Sequence, residues 1–303
     1  MNVVPTTNRK HQPAMERGDV VIFVLGMARS GSSATARLLS LCGGRLPEAL
    51  LPPNRSNPTG YWEPRAAVHA NARFLQACGS SFFDTQLVQD VSEDTPQGIE
   101  FIEEITAFLR ACQATGSSAP LVIKDPRISV LLPFWLAAAE LTGLSPHVVI
   151  PIRHPVEVAA SLGRWKGLAK AHVAELWLKY NLLTERHTRH LPRAFISFAR
   201  LLVDWRAQAG SIAEALRLDL TLNDQVDEFL DPQLRHEVSE HGDVRIDTPW
   251  LSDVHAVLAS ACDGEDVDIG VLNAAFLELN RAQATGSLPV VRSFGTDFGV
   301  DGT

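Results

Sequence analysis

Val20-Val-Ile-Phe-Val-Leu25 leads directly into Gly26-Met-Ala-Arg-Ser-Gly-Ser-Ser33 near the start of the chain. The first segment is a continuous apolar run rich in β-branched residues, which is typical of a strand buried on both faces of a parallel sheet. Small and polar residues follow it, and apolar residues then recur at helical spacing until Gly43-Gly44, where glycine is expected to end a helix. The stretch therefore predicts a buried strand, a tight turn and a helix.

The same alternation continues along the chain. Further short apolar segments predict buried strands at Leu121-Val-Ile123, Val148-Val-Ile-Pro-Ile152 and Ala194-Phe-Ile-Ser-Phe198. Apolar residues three and four positions apart predict helices over residues 99–114, 128–142, 156–168, 173–191 and 201–216. Strands that alternate with helices favour an α/β protein, so we expect a three-layer α/β/α fold with a mostly parallel central sheet.

We interpret the chain as a flexible N-terminal tail over residues 1–18 and one domain over residues 19–303. The composition turns acidic after about residue 219, and short apolar patterns there predict helices near residues 226–230, 251–261 and 271–279. The domain is accordingly divided into an α/β core over residues 19–218, a helical extension over residues 219–290 and a loose tail over residues 291–303.

Composition argues against several classes of partner. The 27 basic and 35 acidic residues give a net charge of −8, so we expect no nucleic-acid partner, because such proteins usually carry a basic excess. The four cysteines lack metal-ligand spacing and are too few for a disulfide scaffold. We find no apolar run of membrane-spanning length and no signal peptide, and we therefore expect a cytoplasmic protein without a membrane span. The oligomeric state is not indicated.

The turn after the first strand has the composition of a phosphate-binding loop. Its small residues let successive backbone N–H groups point inward, and the following helix adds its positive end. Gly26 and Gly31 have the spacing of the GxxxxGK[ST] motif, but Ser32 occupies the lysine position and the cation is Arg29, inside the loop. ATP and GTP enzymes use that lysine on the β- and γ-phosphates. The turn therefore predicts an anion site that differs from that of a nucleotide triphosphatase.

A second candidate anion site follows a later strand, in Ile150-Pro-Ile-Arg-His-Pro155. Arg153 is expected at the carboxyl end of that strand, where α/β sheets bind ligands. Ser161 is expected about two turns into the next helix. Arginine suits a terminal phosphate because its planar fork presents paired donors.

Together these features resemble the PAPS-dependent sulfotransferases, where PAPS is 3′-phosphoadenosine 5′-phosphosulfate. The resemblance covers roughly residues 20–215 and is carried by Arg29-Ser-Gly-Ser-Ser33 after one strand and by Arg153 and Ser161 after a later one. It implies a P-loop-related fold, PAPS as sulfuryl donor, the bisphosphate PAP as product and no required metal. With Arg29 in it, the loop looks closer to those of bacterial carbohydrate- and metabolite-modifying members and of tyrosylprotein sulfotransferases than to those of the vertebrate phenol-sulfating enzymes, which carry lysine there.

The resemblance also assigns residues to the two ends of the donor. The 5′-phosphosulfate is expected to bind the loop residues, which are Arg29, Ser30, Gly31, Ser32 and Ser33. The 3′-phosphate is expected to bind Arg153 and Ser161. Ala34 stands where the vertebrate phenol-sulfating enzymes carry a tryptophan, so we expect the adenine to pack on a different surface.

Three residues are candidates for catalysis. Sulfuryl transfer needs a base at the attacking oxygen and positive charge near the transferring group. Arg29 and Lys124 are the candidates for that charge, because Lys124 stands in Lys124-Asp-Pro-Arg127 and tyrosylprotein sulfotransferases have a similar Lys-Asp-Pro whose lysine supports the reaction. Glu63, at the end of a proline- and asparagine-rich loop over residues 46–60, is the candidate base, and Glu48 is the alternative.

The sequence leaves other readings open. One alternative function is a P-loop-type kinase that uses ATP and magnesium, although Ser32 in the lysine position argues against it. A non-catalytic nucleotide-binding module is another. The acceptor, a small molecule or glycan with a hydroxyl or amine, is not identified by any residue.

Overall fold

The computed structural model describes residues 20–54, 57–87, 92–230 and 250–291. The predicted N-terminal tail and, apart from Val291, the predicted C-terminal tail lie outside the described residues. Among the helices that are described, none is long and apolar enough to cross a bilayer.

Within the described residues, the centre of the molecule is a parallel sheet of four strands. In chain order these are β1 (Val20–Val24), β2 (Leu121–Lys124), β3 (Ser145–Ile152) and β4 (Arg193–Ser197). The sheet order is β2-β1-β3-β4, and every neighbouring pair is parallel. The predicted strands and the predicted mostly parallel α/β sheet are therefore confirmed.

Helices cover both faces of the sheet. They are α1 (Ser32–Leu41), α2 (Arg65–Ala77), α3 (Pro96–Gln113), α4 (Ile128–Thr142), α5 (Pro155–Lys166), α6 (Lys170–Thr188), α7 (Phe198–Leu201), α8 (Trp205–Leu216), α9 (Gln225–Phe229), α10 (Leu251–Ala261) and α11 (Ile269–Ala284). Side chains of β1 alternate between two apolar clusters, one shared with α1, α8 and α9 and the other with α2 to α6, α10 and α11. This is the three-layer arrangement that the continuous apolar strand predicts.

Local capping explains where the observed helices depart from the predicted ones. α3 begins earlier than predicted because the Thr95 side chain accepts the Gly98 amide and Pro96 suits a first turn. The helix predicted over residues 201–216 begins only at Trp205, because the Asp204 side chain caps α8 by accepting the Ala207 amide, and Leu201 ends the short helix α7. Periodicity reports the buried face of a helix, whereas its ends are set by these caps.

The sheet brings several segments to one edge. Since all four strands are parallel, their carboxyl ends meet there, and these ends lead into the turn before α1, Lys124, Arg153 and α7. The apolar side chains of α10 and α11 join the same cluster as β1 and α6, so the C-terminal helices pack on the core.

Candidate functional site

The turn between β1 and α1 curls tightly, and a hydrogen bond to the side chain of Ser129 holds its first residue. Gly26, Arg29 and Gly31 all have positive φ, at 109°, 67° and 97°. The Gly26 amide donates a buried hydrogen bond of 2.8 Å to Ser129 Oγ. A Cβ at Gly31 would lie 2.2 Å from the ring of Phe198, so only glycine allows this approach. The turn therefore has the shape that the sequence predicts for an anion cradle.

Arg29 connects this loop to the predicted second anion site. Its Nε donates to Ser161 Oγ at 3.0 Å, and its carbonyl accepts from Arg153 Nη1 at 3.1 Å. Burial and the nearby charges of Arg153 and Arg164 hold the pKa of Arg29 below its usual range, although Tyr61 acts in the opposite direction. Guanidinium groups that repel one another favour a bound anion, because its charge relieves the repulsion.

Arg153 is fixed on several sides. Its Nε donates to Glu157 Oε2 at 2.9 Å, and both side chains are buried. Its guanidinium lies over the Phe198 ring, 4.8 Å from the centroid, and its carbonyl accepts from Trp177 Nε1. Arg153 thus stands directly after β3, with its side chain held by these contacts.

Glu63 and Lys124 form a buried ion pair beside the loop. Each side chain is only 3% exposed, and Lys124 Nζ also lies 3.4 Å from Ser33 Oγ. Lys124 bonds Glu63 Oε1, whereas the buried Oε2 has no hydrogen-bond partner among the residues that the structure describes. Burial raises the pKa of Glu63, and the charge of Lys124 only partly offsets that effect. One carboxylate oxygen of Glu63 is therefore left without a hydrogen-bond partner among the described residues.

A tight turn positions Glu63. Asn57 Nδ2 donates to the Gly60 carbonyl at 2.7 Å, and the Tyr61 hydroxyl donates to Asn54 Oδ1 at 2.8 Å. Gly60 and Trp62 have positive φ, at 96° and 58°. The Trp62 ring contacts both the Arg37 guanidinium and the Phe229 ring. These contacts hold the end of the loop over the sheet edge, where Glu63 meets Lys124.

These residues surround one cleft of about 770 Å³, which includes space open to solvent. Its walls are Ala28, Arg29, Gly31, Ser32, Ser33, Ala34, Asn57, Thr59, Tyr61, Glu63, Phe82, Lys124, Pro126, Arg127, Arg153, Phe198 and Phe229. Most of the residues predicted for the site thus lie in one cavity. Their roles in binding and catalysis stay predictions.

Three of the sequence-based candidates lie outside the cleft walls. Ser161 reaches the site through Arg29. Ser30 is buried, and within the described chain its hydroxyl has no partner. Glu48 is exposed and does not line the cleft, so it is misplaced as an alternative base.

Arg127 lines the cleft, although the sequence alone assigned it no function. It is fully buried, donates to Asp125 Oδ1 at 3.0 Å and lies 5.4 Å from the Phe82 ring centroid. Asp125 in turn accepts from Asn71, which accepts from Trp135. The sequence feature that could have pointed to Arg127 is its place in Lys124-Asp-Pro-Arg127 at the end of β2, because ligands in α/β proteins bind at the carboxyl ends of the strands.

Other site residues have weak sequence signals. Phe198 and Phe229 line the cleft, Ser129 holds the loop amide and Glu157 holds Arg153. Aromatic residues and helix serines are common, so nothing in their local sequence separates them from core residues. Within the described residues, no group of three or more His, Cys, Asp or Glu side chains could hold a metal ion.

The fold and the cleft together define an α/β protein with a tightly curled, glycine-containing loop and a buried Glu–Lys pair at one sheet edge. No protein-family model and no curated protein matches the chain. Similar solved structures include the following two domains. The sulfotransferase domain from the Synechococcus PCC 7002 olefin synthase has 15% identity over 90% of this chain and 97% of that one, with a TM-score of 0.48. The sulfotransferase domain from the curacin biosynthetic pathway has 14% identity over 80% and 96%, with a TM-score of 0.46.

Proposed function

We propose that this chain is a sulfotransferase that moves a sulfuryl group from PAPS to a hydroxyl or amine of a small-molecule or glycan acceptor. The observation that carries the proposal is the buried pair of Glu63 and Lys124, which faces the curled loop of Arg29 inside one cleft. Such a cleft combines a proton acceptor with fixed positive charge, and sulfuryl transfer requires both.

The residues present fit a bisphosphorylated donor. The loop amides, Ser32 and Ser33 would hold the 5′ end, with Arg29 at the transferring group. Arg153, and Ser161 next to Arg29, would hold the 3′-phosphate, since a guanidinium matches phosphate geometry. The small side chain of Ala34 leaves space for the adenine ring of the donor, and Phe229 offers an aromatic face in the same cleft.

The side chains of this protein would act as follows. Glu63 Oε2 takes the proton of the acceptor hydroxyl while the acceptor oxygen forms its bond to sulfur. The bond between sulfur and the 5′-phosphate oxygen breaks, and the electron pair leaves with that oxygen as PAP forms. Lys124 and Arg29 stabilise the charge that develops there. Because these cations supply the positive charge, the reaction is expected to proceed in the presence of a metal chelator.

Calorimetry with 3′,5′-ADP and with ATP–Mg²⁺ tests the donor class. We expect 3′,5′-ADP to bind, and ATP–Mg²⁺ to bind much more weakly, because the loop has Ser32 instead of the lysine that holds a triphosphate. Tight binding of ATP–Mg²⁺ with no response to 3′,5′-ADP would favour the kinase alternative and refute the proposal.

Turnover separates an enzyme from a binding module. Radiolabelled PAPS incubated with the protein and an extract of small metabolites and glycans should yield a labelled product, and the product identifies the acceptor. Binding of 3′,5′-ADP without transfer to any acceptor would instead favour the non-catalytic module.

A further inference from the structure

A buried carboxylate lies directly behind the proposed phosphate site. Glu157, in the first turn of α5, is 2% exposed and accepts from Arg153 Nε at 2.9 Å. Taken alone, a negative charge here weakens the binding of an anionic donor. Glu157 therefore requires an explanation in terms of what it does to Arg153.

The Arg153 guanidinium contacts both Glu157 and the loop between β1 and α1. While Nε is held by Glu157, Nη1 donates to the carbonyl of Arg29 at 3.1 Å, at a residue whose φ is +67°. The same guanidinium lies over the Phe198 ring, 4.8 Å from its centroid, and this ring packs against Gly31. Glu157, Arg153 and the loop backbone thus form one connected set of contacts.

The charges explain why such a contact is useful. Arg153 and Arg29 repel each other, and this repulsion contributes to the lowered pKa of Arg29. A flexible arginine in that position would turn away from its neighbour and would have to be reordered when a ligand binds. A buried carboxylate on Arg153 Nε opposes this movement, because an arginine–carboxylate hydrogen bond is both strong and directional.

We propose that Glu157 is a positioning residue: it holds Arg153, and through Arg153 the Arg29 carbonyl, in the conformation that receives the donor anion. The proposal rests on the donor site proposed above. It assigns Glu157 no contact with the ligand.

A double-mutant cycle tests this, with calorimetric affinity for 3′,5′-ADP as the readout. Glu157→Gln keeps the shape but loses the charge, and we expect about tenfold weaker binding. Arg153→Met should weaken binding by roughly a hundredfold or more. Because Glu157 acts through Arg153, the double variant should match Arg153→Met within about twofold.

The fold provides a matched control. Glu185 is also buried and paired with an arginine four residues later, Arg189, but it lies outside the cleft. Glu185→Gln should lower the melting temperature and leave the affinity for 3′,5′-ADP unchanged. If Glu157→Gln behaved in the same way, Glu157 would be a structural residue and the inference would be wrong.

The remaining outcomes are also decisive. Tighter binding by Glu157→Gln would show that the carboxylate merely repels the ligand, and additive effects in the cycle would show that it acts independently of Arg153. Either result overturns the positioning role while the donor site stands. Failure of the unmodified protein to bind 3′,5′-ADP would instead refute the proposed function.

Discussion

At the scale of single residues, Glu63 is the most informative position. Its Oε1 is bonded to Lys124, whereas its Oε2 lies buried and unpartnered within the described structure. Burial disfavours the charged form and the lysine favours it, and the net effect raises the pKa of Glu63. A carboxyl with a raised pKa is a stronger base when it is deprotonated, which suits the role proposed for it.

Glu63→Gln should leave the affinity for 3′,5′-ADP near that of the unmodified protein and lower turnover about 10²- to 10⁴-fold, because the amide cannot take up the acceptor proton. Turnover is measured as PAP released from PAPS with the acceptor found in the labelling screen. The exposed Glu140 on α4 provides the control, Glu140→Gln, which should keep full turnover. Unchanged turnover in the Glu63 variant would remove this residue from the mechanism.

The same variant has a pH signature. Glu63 must be deprotonated to act as a base, so kcat/KM should rise as pH rises through the pKa of Glu63. That pKa lies above the ordinary value of 4.5. The fall of kcat/KM on the acidic side of the pH profile should therefore begin at a higher pH than an ordinary glutamate would give. In Glu63→Gln the residual activity should lack this fall.

Gly31 tests the geometry of the loop. Gly31→Ala should lower the unfolding free energy by roughly 2–4 kcal/mol. About 1 kcal/mol of this comes from the positive φ, and the rest comes from overlap of the new Cβ with the Phe198 ring. The substitution should also abolish 3′,5′-ADP binding. Gly43 is the matched control, because its φ is +104° but a Cβ there meets nothing within 4 Å, so Gly43→Ala should cost only about 1 kcal/mol. Equal losses in the two variants, measured by urea unfolding, would contradict the close approach.

At the scale of elements, α6 fixes a wall of the cleft through buried polar groups. Lys179 Nζ donates to the Asp84 carbonyl at 2.7 Å, and the Tyr180 hydroxyl donates to the Phe82 carbonyl at 3.0 Å. Phe82 contacts Arg127 and lines the cleft. The helix therefore positions the segment after α2 by satisfying its backbone carbonyls.

Lys179 makes stability depend on pH. Burial lowers the pKa of Lys179 from 10.5 to about 8, against the opposing effect of Asp84. At a pH between these two pKa values, Lys179 is protonated more in the unfolded chain than in the folded protein. The unfolding free energy should therefore rise between pH 8 and 10.5, by up to roughly 3 kcal/mol. Below pH 8 this lysine should have no effect on the pH dependence. Urea unfolding of Lys179→Met should lack this rise. Lys170→Met, at an exposed position of α6, should retain it, and equal slopes in all three proteins would contradict the assignment.

At the scale of the whole molecule, the parallel sheet is what creates the site. Its order β2-β1-β3-β4 places β1 centrally, with β2 and β3 on either side. The loop after β1 therefore lies between Lys124 on one side and Arg153 on the other. Helices on both faces of the sheet close the cleft, with Phe82 and Phe198 as parts of its walls.

The sequence by itself determined the strands, most helices and the tight turn after β1, because these depend on local periodicity and on glycine conformation. It also pointed to Arg29, Lys124 and Arg153, because each follows a buried strand and parallel strands end at one edge.

Only the tertiary structure decided which side chains meet. The bond between Glu63 and Lys124 joins residues 61 positions apart, and the bond between Arg29 and Ser161 spans 132. Whether such residues touch depends on strand order and on loop paths, which no local pattern encodes. The same reason hid the buried pair of Glu157 with Arg153 and the exposure of Glu48, since burial beside a charged partner is a property of the packed molecule.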